Sequence, residues 1–213
     1  MKDARHDSTE PSNSLVGMPP GRRADHAAST RRALLDAARA LFAERGYVGT
    51  SLEDVVSAAG VTKGAVYHHF ENKKELFLAV VELVEERVLE FISSGPITVR
   101  DAWEGLVAGI DRYLDACLEP EVQQILLLDA PTVLGWEHWR ALEERYGLGL
   151  TRSALEVAMD AGLMRKAPVD PLAHLVLGAL TEGSMFIARA EDRNKARREV
   201  GESVRTMLEG MRT

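Results

Sequence analysis

The residues best suited to chemistry stand in one short run, Thr62, Lys63, Gly64 and Ala65, followed by Tyr67 and His68. Their chemistry is recognition rather than bond making. Lys63 can donate to guanine O6 and N7 or to a phosphate, and the methyl of Ala65 suits contact with a thymine methyl. Thr62, Tyr67 and His68 carry donors for phosphate oxygens, and Gly64 leaves room for close approach. Catalytic patterns are missing: there is no Gly-rich phosphate loop, no G-x-S-x-G elbow and no H-E-x-x-H pair. The lone cysteine, Cys117, reads as a buried, inert thiol. One cysteine cannot build a disulfide framework or a cysteine-based zinc site. His68 and His69 are adjacent on a helix and point apart, so no metal site and no cofactor are expected. Glu143 and Glu144 read as a solvated helix face.

Two short helices must hold that run in place. Leu34, Ala37, Ala38, Leu41 and Phe42 form one helical stripe, with Ser29 or Thr30 as its cap and Gly46 as a left-handed stop. A second helix is expected after Thr50 as N-cap, with Glu53 completing a capping box and Gly60 ending it. A third runs from Lys63 to His69 behind Thr62, with Val61, Val66 and Phe70 turned to a small core. Asn72 then caps a long helix through Leu76, Val80, Leu83, Val84, Val88 and Phe91. Two brief helices joined by a glycine turn after a longer one outline a helix-turn-helix, whose second helix enters the major groove. Further helices are expected over 99–117, 120–129, 133–146, 148–162, 169–190 and 194–211, broken at Gly95-Pro96, Glu119-Pro120, Pro131, Gly147 and Pro168. No alternating β pattern intervenes. The expected fold is all-α, about nine helices: a flexible arm over 1–28, a helix-turn-helix domain over 29–75 and a helical domain over 76–213. Arg22 and Arg23 in the arm either solubilise it or reach DNA.

In detail, residues 40–47, 50–55, 58–61 and 63–73 (ALFAERGY, TSLEDV, AAGV and KGAVYHHFENK) resemble the TetR family of bacterial transcriptional regulators. The resemblance runs over roughly residues 30–78. It implies groove-facing roles for Thr62, Lys63, Gly64, Ala65 and His68, and a phosphate contact at Tyr67, whose structural alternative is packing on the fourth helix. It also implies phosphate contacts at Thr50 and Ser51 and at Lys73 beside the Asn72 cap. His69 reads as structural.

A single reading helix discriminates weakly, so a dimer is expected on two half-sites of a palindromic operator in double-stranded DNA. The apolar stripes near the C-terminus offer the surface: Leu172, Leu175, Val176, Ala179, Gly183 and Phe186 on one helix, Val200, Val204 and Met207 on the next. The resemblance implies that these helices pair with their mates; packing within one chain is the alternative. It also implies an unknown small-molecule effector in the middle of the chain, for which Trp103, Tyr113, Trp136, Trp139, Met159 and His174 are the candidates, with plain core as the alternative for each.

Composition bounds the rest. The 213 residues carry a net charge of −7, but Arg22–Lys74 holds nine Lys and Arg against six Asp and Glu, and Ala79–Thr213 fifteen against twenty-three. The acidity thus belongs to the C-terminal part, and a locally positive face can still steer toward phosphates. No stretch reads as a membrane span or a secretory signal, so the expectation is a cytoplasmic, non-enzymatic repressor without a membrane partner. An all-α ligand-binding or scaffold protein that keeps the helix-turn-helix only for structure is the competing reading. An activator, or a regulator answering a protein, is a further variant.

Overall fold

The computed structural model describes residues 20–95 and 101–213, with side chains described from Asp25 onward. The order is α1 (Pro20–Arg45), α2 (Leu52–Ala59), α3 (Lys63–His69), α4 (Lys73–Ser93), α5 (Ala102–Ala116), a π-helical segment (Val122–Asp129) running into α6 (Ala130–Leu134), α7 (Trp136–Glu143) running through a second π-helical segment (Glu144–Leu148) into α8 (Gly149–Asp160), α9 (Val169–Arg189) and α10 (Arg193–Glu209). Each unbroken run counted once, the described residues form nine helices and no strand, as the periodicity predicts.

Several boundaries differ from expectation. The first helix already includes Pro20, the first described residue, so Ser29 and Thr30 lie inside it and cap nothing. Ala24, Ala27 and Ala28 favour helix over this stretch. The arm expected over 1–28 is therefore helical from 20; its first 19 residues, and the side chains of Arg22 and Arg23, lie outside the described residues. The cap of α2 is one residue later than expected. Ser51 accepts from the Asp54 N–H at 3.1 Å, and Asp54 accepts from the Ser51 N–H at 2.9 Å, so the capping box is Ser51–Asp54 rather than Thr50–Glu53. Gly46 and Gly60 end their helices at φ +70° and +66°, the left-handed stops expected of them.

Pro131 and Gly147 do not break the chain. Both sit in or beside π-helical turns, whose wider spacing absorbs them. A Cβ at Gly147 would stand 2.9 Å from Leu177 Cδ1, the tip of a side chain that would have to shift.

Two apolar cores hold the molecule. The first joins Leu34, Phe42, Val55, Val66 and Phe70 to Phe77 and Val80 of α4, and continues into Ile125, Leu126 and Trp139. The chain thus has no gap in packing at residue 75; α4 belongs both to the helix-turn-helix and to the helical domain after it. The second core gathers Trp103, Leu106, Leu114, Leu155, Val176, Ile187, Val204 and Leu208. By length and composition α9 alone among the described helices could cross a membrane, a feature not expected from the sequence. Here it is a core helix, packed against α8 and α10, with Ala173, Val176 and Ile187 buried.

Candidate nucleic-acid interface and C-terminal cavity

The helix-turn-helix presents α3 outward on a rigid base. Val66 and Phe70 are buried; an α-helix repeats every 3.6 residues, so Thr62, Lys63, Gly64, Tyr67 and His68 fall on the exposed side. Tyr67 is 51% exposed and does not pack away on α4. Thr62 occupies the N-cap position without using its hydroxyl as a cap. A Cβ on Gly64 would meet nothing within 4 Å, so its small size matters only toward a partner. Ala65 is half-buried. His69 turns partly inward, and burial lowers its pKa, in keeping with a structural role.

Two residues expected to contact phosphate are engaged within the protein. Thr50 is buried, and its hydroxyl lies within hydrogen-bond distance of the carbonyls of Gly46 (2.9 Å) and Leu41 (3.2 Å). It fastens the α1–α2 connection. Lys73 also turns inward. Its Nζ donates to the carbonyls of Tyr47 (2.7 Å) and Thr50 (2.8 Å) and stands 4.0 Å from the centre of the Tyr47 ring. That ammonium closes the loop between α1 and α2 from below, its donors largely spent. Ser51 stays at the surface as the cap of α2.

A role for Glu53 at this surface was not legible in the sequence. Its Oε1 lies 2.6 Å from Lys63 Nζ, and both side chains are mostly solvated. The pair raises the Lys63 pKa and lowers that of Glu53, chiefly through their shared hydrogen bond. Exposed pairs of this kind are weak, with a median of about 0–1 kcal/mol, so Lys63 can be withdrawn from it by a stronger anion.

Behind the helix-turn-helix, two chambers adjoin between α4, α5, α8, α9 and both π-helical segments, with α7 closing the smaller one. The larger holds about 430 Å³ and is lined by Ile92, Leu106, Gly109, Leu150, Ala154 and Leu180 among others. The smaller, about 60 Å³, is lined by Glu85, Cys117, Leu126, Trp139, Glu143 and Tyr146 among others. Ile92, Tyr113, Gly147, Leu150 and Leu177 belong to both walls. Burial drives the Glu85 pKa up to about 8 and that of Glu143 to about 7. It also pushes the Cys117 thiol up to about 12, as expected of an inert cysteine.

The family model for the N-terminal region of bacterial regulatory proteins of the tetR family matches residues 34–80, and that for tetracyclin repressor-like C-terminal domains matches residues 103–211. The chain belongs to the TetR family. It is 31% identical to the HTH-type transcriptional repressor AcnR of Corynebacterium efficiens over 167 residues, which span 78% of this chain and 84% of that one. It is 27% identical to the transposon Tn10 TetC protein of Escherichia coli over 70% of this chain and 76% of that one. The crystal structure of a TetR-family transcriptional regulator from Pectobacterium atrosepticum superposes with a TM-score of 0.80 at 34% identity, covering 89% of this chain and 97% of that one. This TetR-family chain is accordingly a DNA-binding transcriptional regulator and not an enzyme.

Within this TetR-family fold, the expected pocket and pairing residues separate. Tyr113 and Trp139 line the chambers. Trp103 and Met159 are buried in the second core instead, Trp136 is exposed beside Trp139, and His174 faces outward on α9. Glu143, read as solvated, is buried against Thr181 and Arg140. Glu85 was not among the expected pocket residues, although Val81, Glu85, Val88 and Ile92 share one helical stripe, where an acid is out of place. Of the pairing stripe, Val176 and Val204 are buried inside the protomer, whereas Leu175, Phe186 and Met207 are exposed. Gly183 lets α9 and α10 meet, since a Cβ there would stand 2.6 Å from Val200 Cγ1.

Proposed function

We propose that this regulator is a cytoplasmic homodimeric repressor that reads a palindromic operator through α3 and is released from it by a small molecule bound in the C-terminal chambers. The observation that carries the reading is the outward face of Thr62, Lys63, Tyr67 and His68 on a helix locked from behind by Val66 and Phe70. Lys63 supplies the base or phosphate contact, Tyr67 and Ser51 backbone contacts, and Gly64 and Ala65 the close approach.

Dimerisation rests on the exposed side chains Leu175, Phe186 and Met207. Leu175 and Phe186 fall on one face of α9, about three turns apart; exposed apolar surface of this kind marks an interaction site, and a two-fold pair meets through the same patch on both copies. Release by an effector is a population shift: the ligand must bind better to a state whose α3 helices are misplaced for successive major grooves. The chambers support that reading because α4 forms their wall at Glu85, Val88 and Ile92 and the base of the helix-turn-helix at Phe77.

The test is titration of the purified protein onto the DNA flanking its own gene at two salt concentrations, with Lys63→Ala alongside. Tight binding to a discrete palindrome, falling with salt at a slope of about −0.9 per phosphate neutralised and weakened in the variant, is expected. Absence of specific binding there and in an unbiased operator selection would leave the helical domain as the functional part.

A further inference from the structure

We propose that the C-terminal chambers take an apolar organic ammonium, its cationic end beside Glu85 and Glu143 and its apolar body in the larger chamber. The inference rests on the effector reading above and narrows it to a chemical class.

The walls are overwhelmingly apolar, as small-molecule sites are, with few polar groups to orient the guest. Those few are acidic at the inner end. Among the described residues no Lys, Arg or His forms a salt bridge with Glu85; the neighbouring acids Glu82 and Glu121 each have an arginine. Glu143 accepts from Thr181 Oγ1 at 3.0 Å and has Arg140 Nη1 at 3.5 Å, but that guanidinium also serves Glu144. Glu85 therefore has no cation partner among the described residues, and Glu143 has only a divided one. Burying a carboxyl without a partner is costly, and that cost shows in the raised pKa values of both groups. A guest cation at this end lets the carboxyl give up its proton and pairs with the charge left behind.

The opposite charge has a poorer case. Arg112 lines the outer end of the larger chamber, but its guanidinium donates to the Phe91 carbonyl and lies over the Phe91 ring at 4.3 Å. Trp139 and Tyr113 also line the inner end, and aromatic rings attract cations; the Tyr146 ring there already has Arg145 over it at 5.3 Å. The small chamber, at about 60 Å³, exceeds the roughly 10–15 Å³ one water needs, and so has room for an ammonium head.

The test uses the full chain and three probes with one tail: decylamine (protonated at neutral pH), decanol and decanoate. Calorimetry should show decylamine binding tightest, by about tenfold or more over decanol, with decanoate weakest. Glu85→Gln should abolish that preference while leaving decanol binding in place, which also shows the variant is folded. Gly109→Leu, which fills the larger chamber, should weaken all three. The proposal is overturned if decanol or decanoate matches decylamine, if Glu85→Gln keeps the preference, or if Gly109→Leu leaves decylamine binding intact. Release of operator DNA is read separately. Glu85-dependent binding that leaves DNA bound would retain the site and discard the effector reading; operator binding without any ammonium preference would discard the site alone.

Discussion

The Tyr47 backbone N–H donates to Asp129 Oδ2 at 2.7 Å, across 82 positions of sequence. This bond joins the first π-helical segment to the connection between α1 and α2. The same carboxylate accepts from Gln124 Nε2 at 3.1 Å, and Gly46 lies close against both side chains. Glu121, at the start of that segment, is held by Arg39 of α1 and Arg87 of α4. The chamber-bearing half therefore grips the DNA-facing half at two points.

Asp129→Ala should destabilise the protein by about 1–3 kcal/mol, because it leaves a partly buried N–H unpaired. If the grip also transmits the effector signal, the variant's operator affinity will respond less to ligand. Denaturant unfolding and DNA titration with and without ligand separate the two effects.

Lys63→Ala should weaken operator binding by about 1–3 kcal/mol if Lys63 makes a good base contact. Glu53→Gln should do the reverse, since it frees Lys63 and removes a negative charge beside the groove. Parallel titrations on one operator check both signs. Equal affinities for Glu53→Gln and the parent would mean that the pair seen in the free protein is irrelevant to binding.

Thr50→Val and Lys73→Met test whether these two residues hold the fold or contact phosphate. Each should lower stability, Thr50→Val by about 1–3 kcal/mol, because each removes bonds that close the α1–α2 connection. The salt slope of DNA binding should not change in either, measured where the protein is fully folded. A slope reduced by about one in Lys73→Met would return that lysine to the phosphate contacts.

Phe186→Asp should yield a monomer of near-normal stability in sedimentation, since Phe186 is exposed in the single chain. Val204→Asp, at a position buried within the protomer, should instead lower the melting temperature steeply. A Phe186→Asp protein that remains a tight dimer would move the interface elsewhere.

Glu85 also predicts a pH dependence. Its pKa lies at about 8 in the fold, against an ordinary value of 4.5 for a solvated glutamate. Between those values the folded state holds a proton that the unfolded chain releases, so this group's contribution to stability falls as pH rises and is lost above about 8. Glu143, Tyr113, Cys117 and Tyr146 line the same chamber; Glu143 adds a contribution of the same sign at lower pH. Glu85→Gln should therefore gain stability over the parent as pH climbs from about 5 to about 9, read as the difference between two melting curves.

Much of this molecule is determined by its sequence alone. Leu34, Phe42, Val55 and Val66 recur at helical spacing, Gly46 and Gly60 permit left-handed stops, and Asn72 accepts from the Glu75 N–H at 3.0 Å. Such signals act within a few residues, so they survive without tertiary context. The outward face of α3 comes from the same periodicity.

What only the tertiary structure decided is where each polar and apolar side chain ends. Thr50 and Lys73 stand at positions where exposure and burial look alike in sequence. Burial came from carbonyls 4 to 26 residues away, which the folded α1–α2 connection turns toward them. Val176 and Leu175 are neighbours of similar chemistry, yet one packs inside and the other faces out, because a helix face acquires its meaning from the helix packed against it. Glu85 and Glu143 lie on separate helices, and only the closing of α4, α5, α7 and α9 around a common space makes them one acidic end of an apolar cavity. Local periodicity sets the elements; long-range packing decides which of their faces meet solvent, a partner or a ligand.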